Sequence, residues 1–324
     1  MRFFYPDTPP LPLPPGHRFP AHKYQLLLEH VRSGSLIGPA WIKASPRATL
    51  EALQRVHAPG YINDVLAGTL DAPAQKRIGV PWSPVLKDRA LATVGGTVAA
   101  AFAALDEGLS GQLAGGTHHA HYDFGSGFCV FNDVAVAIDQ LRQSSPGIRC
   151  AVLDLDVHQG DGNAALLAGG KDPQTFVASV HGARNYPFEK VPSDLDIALP
   201  DATEDPDYMT AVQTAIDAIS AFKPDLLFYI AGVDPLKADR LGRLHVSMEG
   251  LFQRDADVLG WTNTHNCPCV ILIGGGYAEP ISQTVAAYAQ TFSVARDIYQ
   301  FGDGQTQTWT GNALSGLTSS DRPR

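Results

Sequence analysis

The sequence predicts an α/β fold with three layers, in which a single, mainly parallel β-sheet is covered by helices on both faces. Short runs rich in β-branched residues alternate with longer segments of helical periodicity, an order that favours parallel pairing. Each run is uninterrupted rather than alternating in polarity, which is typical of strands buried on both faces. The predicted strands are residues 150–157, 175–180, 226–230 and 269–273.

Helical patterns lie between these runs. Apolar residues at spacings of three and four predict a helix over 207–222, and a further helix is predicted over 278–298. Ser247 is a predicted N-cap for a helix that runs toward Gly260. Two more helix starts are predicted where a capping serine is followed by proline; they are Ser45–Pro46 and Ser83–Pro84.

The chain of 324 residues is long enough to bury a large core. No repeat and no long linker divides it, so residues 1–302 are predicted to form one catalytic domain. Residues 303–324 are polar and are expected to form a C-terminal tail. Residues 1–20 are rich in proline and are expected to run extended over the surface.

Charge and composition exclude several classes of function. The hydrophobic share of 44% excludes a disordered chain. The net charge of -9 argues against nucleic-acid binding and slightly favours a cationic substrate. No apolar stretch of membrane-spanning length and no signal-peptide pattern is present, so no membrane association is expected. The oligomeric state stays open.

Four cysteines are too few for a disulfide framework, which predicts a reducing, cytoplasmic setting. Cys267 and Cys269 are two residues apart and have no second pair. We therefore expect them to begin a buried strand rather than to hold a metal.

Polar side chains follow each predicted strand, and the carboxyl ends of parallel strands meet at one edge of a sheet. Asp154, Asp156 and His158 alternate along one strand and would share a face. Two carboxylates and an imidazole there need a cation or a hydrogen-bonded partner to offset repulsion. With Asp234 as a third ligand, Asp156 and His158 predict a metal site with an open position, as catalytic zinc requires. The alternative is a strand end that reaches solvent, which the following Gly–Asp–Gly–Asn run disfavours.

Two adjacent histidines, His118 and His119, follow a pair of glycines. Adjacent side chains cannot share one direction, so each imidazole needs its own acceptor to fix its tautomer. Asp154 and Asp161 are the carboxylates available near the metal, and they predict two His–Asp dyads. The alternative for such a pair is a partly exposed loop.

Tyr277 follows three glycines at the end of the last predicted strand. Its hydroxyl could donate to a developing oxyanion. A packed tyrosine at a strand-to-helix turn remains the alternative.

These motifs resemble the zinc-dependent histone deacetylase family of the arginase–deacetylase superfamily. The resemblance covers about residues 115–280, in the family's order. The motifs are GGTHHAHYDFGSGFCVFNDVAVA (115–137), VLDLDVHQGDGN (152–163), AGVDPLKADRLG (231–242) and IGGGY (273–277), with a weaker HAPGYINDVL (57–66) upstream. Three further stretches are similar to the short bacterial branch nearest the class IV deacetylases; they are PPGHRFPAHKY (14–24), PWSPVLKDRALATVGGT (81–97) and SDLDIALP (193–200).

The resemblance implies the cofactors of the site. Asp156, His158 and Asp234 match the zinc ligands, and Fe²⁺ can occupy such sites. A structural K⁺ is also implied, held by backbone around Asp154, Asp156 and His158 and by Ser179.

The resemblance also implies catalytic roles. His119 matches the general base and acid, with Asp161 as its carboxylate partner. His118 matches a second histidine that acts largely through its charge, with Asp154 as its partner. Tyr277 matches the tyrosine that polarises the amide carbonyl.

Four residues match or replace substrate contacts of the family. Phe128 and Tyr186 match the walls of a narrow acyl-lysine tunnel, and a tyrosine at the second position is typical of the class IV-like branch. Gly127 matches the residue whose carbonyl receives the substrate amide N–H. Leu241 stands where acetylpolyamine-selective members carry an acidic residue.

The sequence departs from the family at two further places. Gln159 stands where many members have a second histidine. The rim aspartate of classical members has no clear match before Gly95.

The resemblance thus implies a zinc-dependent deacylase acting on Nε-acyl-lysine of a protein or peptide. Hydrolysis of small acylated amines such as acetylpolyamines is the alternative on the same site. Manganese-dependent ureohydrolase chemistry and a non-catalytic acyl-lysine-binding pocket are more distant alternatives.

Overall fold

The computed structural model describes residues 1–33 and 36–301. Within them, eight strands form one parallel sheet in the order β2-β1-β3-β8-β7-β4-β5-β6. The strands are β1 (Phe3–Tyr5), β2 (Ile42–Ala44), β3 (Leu109–Gln112), β4 (Cys150–Asp154), β5 (Thr175–Gly182), β6 (Leu195–Leu199), β7 (Leu226–Ile230) and β8 (Cys269–Leu272). The helices are α1 (Lys23–Ser33), α2 (Leu50–Gln54), α3 (Pro59–Ala67), α4 (Ala72–Ile78), α5 (Pro84–Glu107), α6 (Asp133–Ser144), α7 (Asp161–Leu167), α8 (Asp205–Phe222), α9 (Met248–Thr264) and α10 (Ile281–Tyr299).

Helices cover both faces of the sheet, as the uninterrupted apolar strands predict. On β4, Ala151 and Leu153 join one apolar cluster, whereas Cys150 and Val152 join the other. The first cluster includes side chains of α1, α8, α9 and α10, and the second includes side chains of α2 to α7. The predicted three-layer α/β class is confirmed. The boundary at residue 302 stays a prediction, because residues 302–324 lie outside the described ranges.

The four predicted strands are β4, β5, β7 and β8, which are neighbours in the sheet. The other four strands have three to five residues each and carry no long apolar run. The expectation that residues 1–20 run over the surface is wrong for β1, because this strand pairs with both β2 and β3. Phe3 is fully buried in one apolar cluster and Phe4 is buried in the other.

Two of the three predicted serine caps are present. Ser83 caps α5 by accepting a hydrogen bond from the Leu86 amide at 3.0 Å. Ser45 caps no helix, because its amide donates to the Tyr5 carbonyl at 2.9 Å and so continues the extended chain after β2. The helix begins instead at α2, where Thr49 is the N-cap. Ser247 caps α9 as predicted.

The core also accounts for the cysteines and the longest helix. All four cysteines are buried and free, and Cys269 begins β8 as predicted.

Helix α5 is long and apolar enough to cross a membrane by length and composition alone. However, 72% of its apolar window is buried inside the protein, so α5 is a core helix.

A buried ion pair on α9 joins the core to the loop after β7. Arg254 and Asp255 are both fully buried, and their side chains meet at 2.8 Å. The Arg254 guanidinium also donates to the Gly232 carbonyl at 2.5 Å. Asp255 accepts hydrogen bonds from Tyr229 on β7 and Thr291 on α10. This pair therefore ties two helices and a strand to the loop that carries Asp234.

The Asp255→Asn variant tests this tie. Removing the carboxylate charge leaves the guanidinium buried without its charged partner, and the expected loss is about 3–5 kcal/mol in the free energy of unfolding. Urea denaturation measures it. The control is Asp257→Asn on the same helix, where the carboxylate accepts a hydrogen bond from Gln253 on the protein surface. Equal unfolding free energies for the two variants would contradict the account.

Candidate active site

The candidate site lies at the carboxyl ends of five adjacent strands, β3, β8, β7, β4 and β5. His118 and His119 follow β3, Tyr277 follows β8, and Asp234 follows β7. Asp154 ends β4, and Asp156 and His158 come directly after it. The structure therefore brings the polar clusters of four separate sequence motifs to one place.

Asp156 and His158 are not in the strand, contrary to the prediction that places them on one strand face. Strand β4 ends at Asp154, and hydrogen bonds to carboxylates hold the following turn. The His158 amide donates to Asp156 Oδ1 at 2.9 Å, and the Val157 amide donates to Asp234 Oδ1 at 2.9 Å. The turn itself thus aims the two carboxylates and the imidazole at one centre.

Asp156, His158 and Asp234 converge at that centre. One ligand atom from each of the three lies within 4.8 Å of the others. His158 Nδ1 is 3.0 Å from Asp156 Oδ1 and 3.1 Å from Asp234 Oδ2. In the part of the chain that the structure describes, this is the one group of three or more such side chains. A nitrogen and two carboxylate oxygens are donors that Zn²⁺ and Fe²⁺ accept.

The electrostatics of the cluster call for added positive charge. Burial lowers the pKa of His158, but hydrogen bonds to Asp156 and Asp234 outweigh it and raise the pKa to about 10. Burial, followed by repulsion from Asp156, raises the pKa of Asp234 to about 7. Both shifts favour the protonated forms of His158 and Asp234, because two buried carboxylates lie side by side. A divalent cation offsets the same repulsion.

Glycines leave room around the carboxylates. A Cβ on Gly275 would lie 2.1 Å from Asp234 Oδ2, and a Cβ on Gly232 would lie 2.6 Å from Asp156 Oδ2. The Gly275 amide instead donates to Asp156 Oδ2 at 2.6 Å. Backbone can approach the carboxylates this closely only where no side chain intervenes. The donor set and its surroundings therefore fit a small metal ion.

Two His–Asp pairs flank the cluster. His118 Nδ1 is 2.7 Å from Asp154 Oδ2, and His119 Nδ1 is 2.6 Å from Asp161 Oδ1. Each bond occupies Nδ1, so the Nε2 atom of each ring is left for the site. His121, which the sequence analysis did not single out, binds the second oxygen of Asp161 at 2.9 Å.

The two histidines have opposite electrostatics although they are adjacent. Burial lowers the pKa of His118, but the charges of Asp154 and Asp156 outweigh burial and raise it to about 9. Burial, together with the charge on His118, lowers the pKa of His119 to about 4. At neutral pH this leaves His119 unprotonated and able to accept a proton.

Tyr277 lies beside His158, with ring centroids 6.4 Å apart. Burial raises the pKa of its hydroxyl well above the ordinary value, so the hydroxyl remains a donor at neutral pH. The buried ammonium of Lys23 lies 4.7 Å from the Tyr277 ring centroid and donates to the Gly276 carbonyl at 3.0 Å. Lys23 thus holds the loop that carries the tyrosine. Sequence reasoning missed it, because its partners lie about 250 residues away.

A second residue that sequence reasoning missed is Asp133, the first residue of α6. Its buried carboxylate accepts from the amides of Gly116 and Thr117 at 2.9 and 2.8 Å, directly before the two histidines. It also accepts from the Thr97 hydroxyl. A carboxylate inside an apolar helix start (FNDVAVA) is the signal that could have identified it.

The cluster lies beside a cavity of about 750 Å³. Its lining includes His119 and His158 from the centre. It also includes the four residues that the sequence assigns to substrate, Gly127, Phe128, Tyr186 and Leu241. The catalytic candidate Tyr277 lines it as well. Gln159, which replaces the family's second histidine, does not line it. Its side chain donates instead to Asp196 Oδ1 at 2.7 Å and to the Val191 carbonyl at 2.8 Å.

The mouth of this cavity is basic, although the chain as a whole is acidic. Five arginines line it, and no aspartate or glutamate of the described residues does. This local charge disfavours a cationic group at the mouth, whereas the preference for a cationic substrate that the net charge suggests stays a prediction. Net charge averages over the surface, whereas a substrate meets the local field.

Fold and site together define a hydrolase of the arginase–deacetylase superfamily. The sequence model of the histone deacetylase domain matches residues 17–292. The chain therefore belongs to the histone deacetylase family, whose members are amide hydrolases.

Individual relatives agree with this assignment. An uncharacterized protein of Picosynechococcus sp. is 40% identical over 289 residues, which span 89% of this chain and 96% of that protein. Histone deacetylase 2 of Arabidopsis thaliana is 28% identical over 291 residues, covering 86% of this chain and 74% of that protein. The crystal structure of a histone deacetylase homolog from Aquifex aeolicus has the same fold, with a TM-score of 0.74 at 22% identity. That match covers 93% of this chain and 89% of the homolog.

The Gly127→Ala variant tests whether His119 must keep its position. Gly127 has φ +52°, and a Cβ there would lie 2.4 Å from His119 Cδ2. The imidazole must shift, and a displacement of about 1 Å is expected to lower deacetylase kcat/KM by about 100-fold. The control is Gly60→Ala on α3, where a Cβ meets nothing within 4 Å. Unchanged activity in Gly127→Ala would contradict the requirement that His119 keeps its position.

Proposed function

We propose that the protein is a zinc-dependent lysine deacylase that hydrolyses the amide of Nε-acyl-lysine, acetyl or longer, to lysine and a carboxylate. The observation that carries this proposal is the convergence of one imidazole and two carboxylates, beside a cavity and next to a buried histidine that is paired with Asp161. The deacetylase family to which the chain belongs supports the reaction class.

The metal would be held by Asp156, His158 and Asp234, whose atoms fit a small divalent cation. Bound there, zinc supplies Lewis-acid polarisation of the amide carbonyl and lowers the pKa of water. Fe²⁺ is compatible with the same donors. The proposal retains a structural K⁺ near Ser179, which pairs with Asp154 across β4 and β5.

His119 is the proposed general base and acid. Its Nδ1 is engaged by Asp161, so Nε2 takes a proton from the attacking water and later gives one to the leaving lysine amine. Asp161 fixes the tautomer and offsets the charge that develops on the ring. His118, paired with Asp154, keeps its proton and contributes positive charge near the developing oxyanion.

Tyr277 and the cavity walls complete the proposed reaction. The Tyr277 hydroxyl donates a hydrogen bond to the oxyanion as the carbonyl becomes tetrahedral. The acyl-lysine chain would lie between Phe128 and Tyr186, and the Gly127 carbonyl would accept its amide N–H. Leu241 adds apolar lining at the mouth.

The alternatives have less support. A polyamine substrate carries a second positive charge, which the arginines at the mouth and the uncharged Leu241 disfavour. Ureohydrolase chemistry needs further carboxylates that bridge two metal ions. In the described residues, the candidate metal site has two carboxylates and one imidazole. A pocket that only binds acyl-lysine has no use for two His–Asp pairs. A cytoplasmic location and a bacterial source are part of the proposal.

Substitution of the two proposed catalytic groups tests the mechanism. With an uncharged, capped acetyl-lysine, Tyr277→Phe is expected to lower kcat by about 10²–10³ through loss of one oxyanion donor. His119→Ala is expected to lower kcat by about 10²–10⁴ through loss of the base. The controls are Tyr122→Phe and His265→Ala, both at exposed positions away from the cavity. Equal rates across all variants with metal retained would remove both assignments.

A substrate panel separates lysine deacylation from polyamine deacetylation. The enzyme is assayed with capped lysines bearing acyl chains of increasing length and with acetylputrescine. We expect kcat/KM for the best acyl-lysine to exceed that for acetylputrescine by at least about tenfold, because a free ammonium meets guanidinium groups at the mouth. A preference for acetylputrescine would favour the small-molecule alternative.

A further inference from the structure

The positive mouth is built from separate parts of the fold. Its five arginines come from the N-terminal segment, α4, the segment after β5 and the segment after β7; they are Arg18, Arg77, Arg184, Arg240 and Arg243. In a chain of net charge -9, such a concentration at one opening is not expected from composition. All five side chains are exposed to solvent.

Nearby carboxylates neutralise only part of this charge. Arg184 and Arg243 share Asp201, at 3.4 and 3.2 Å, and Arg240 pairs with Glu279 at 3.3 Å. Arg18 and Arg77 have no carboxylate partner within residues 1–33 and 36–301. Five guanidinium groups against two carboxylates leave three positive charges in excess.

Stability does not account for these arginines. The side chains of Arg184, Arg240 and Arg243 are 73%, 63% and 50% exposed, and ion pairs so exposed contribute little to folding. Arg77 packs its guanidinium over the Phe124 ring at 4.6 Å, which fixes the direction of the side chain while its charge stays accessible.

A second cavity continues from the mouth along the surface. Its volume is about 910 Å³, and it lies between the proline-rich N-terminal segment and residues 278–281. Arg18 and Arg240 line both cavities, together with four other shared residues, so the two cavities are adjacent. A cavity of about 910 Å³ next to the acyl-lysine cavity leaves room for residues on either side of the modified lysine.

We propose that this mouth selects acyl-lysines that lie in acidic peptide sequence, with aspartate or glutamate on either side of the modified lysine. The inference rests on the proposed deacylase function and adds the class of its substrate. Guanidinium groups bind carboxylates in a bidentate manner and also speed the approach of an anionic chain. A lysine-rich or arginine-rich peptide is repelled by the same groups.

Three peptides that differ only in flanking charge test the proposal. Each carries the same acyl-lysine at its centre, flanked by Asp and Glu, by Ser and Gly, or by Lys and Arg. We expect kcat/KM for the acidic peptide to exceed that for the basic peptide by at least about tenfold at low ionic strength, and the ratio to fall as salt is added.

The double variant Arg18→Gln/Arg77→Gln removes the two guanidinium groups that lack a carboxylate partner. We expect it to lower the acidic-to-basic ratio at least about threefold. The matched control is Arg149→Gln, an exposed arginine that precedes β4 and so lies at the opposite edge of the sheet. It should leave the ratio unchanged. Equal ratios in the double variant and the wild type would overturn the role of these arginines.

Two further substrates, the uncharged capped acyl-lysine and free acyl-lysine, distinguish failure of charge selection from failure of the deacylase function. Hydrolysis of the uncharged, capped acyl-lysine with equal rates on all three peptides would overturn charge selection and leave the deacylase function intact. If neither that substrate nor any peptide is hydrolysed, the deacylase function fails and charge selection fails with it. The second substrate is free acyl-lysine, which carries one α-carboxylate, compared with its uncharged α-amide. If that single carboxylate raises kcat/KM as much as the acidic flanks of the peptide do, the substrate is a small acidic amide rather than a peptide.

Discussion

Two carboxylates, those of Asp156 and Asp234, meet at the end of the sheet with almost no exposure to water. Their mutual repulsion and their desolvation are both unfavourable, so the surrounding structure must supply positive charge and hydrogen bonds. Amides of Val157, His158 and Gly275 donate to them, and the His158 imidazole lies between them. A divalent ion held by the same carboxylates and imidazole would complete the balance of charge.

The parallel sheet is what makes this concentration of charge possible. Five adjacent strands end at the same edge, and the segments that follow them carry the side chains of the site. Apolar clusters on both faces fix the strands, and the Arg254–Asp255 pair fixes the loop that carries Gly232 and Asp234. The glycines near the carboxylates allow backbone to approach where side chains would collide. Fold and site are therefore coupled through the same few loops.

The local parts of this arrangement could be predicted from sequence, and the long-range parts could not. Asp154, Asp156 and His158 stand within five residues. The adjacent histidines need two acceptors, and Asp154 and Asp161 lie in that same motif. Lys23 escaped prediction because nothing near it in sequence indicates that it meets a loop about 250 residues away. Strand β1 escaped because three residues give no periodicity. The basic mouth could not be predicted because its arginines are far apart in the sequence. The net charge of the whole chain gives no indication that they lie close together in the fold.

The most direct test of this account is the metal itself. The purified protein, loaded with zinc and freed of excess ion, is analysed for zinc per chain and by X-ray absorption at the zinc edge. The account predicts one ion per chain with nitrogen and oxygen ligands, including a single imidazole, and loss of that ion in Asp234→Asn. Sulfur ligands, two ions per chain, or full zinc retention in Asp234→Asn would contradict it.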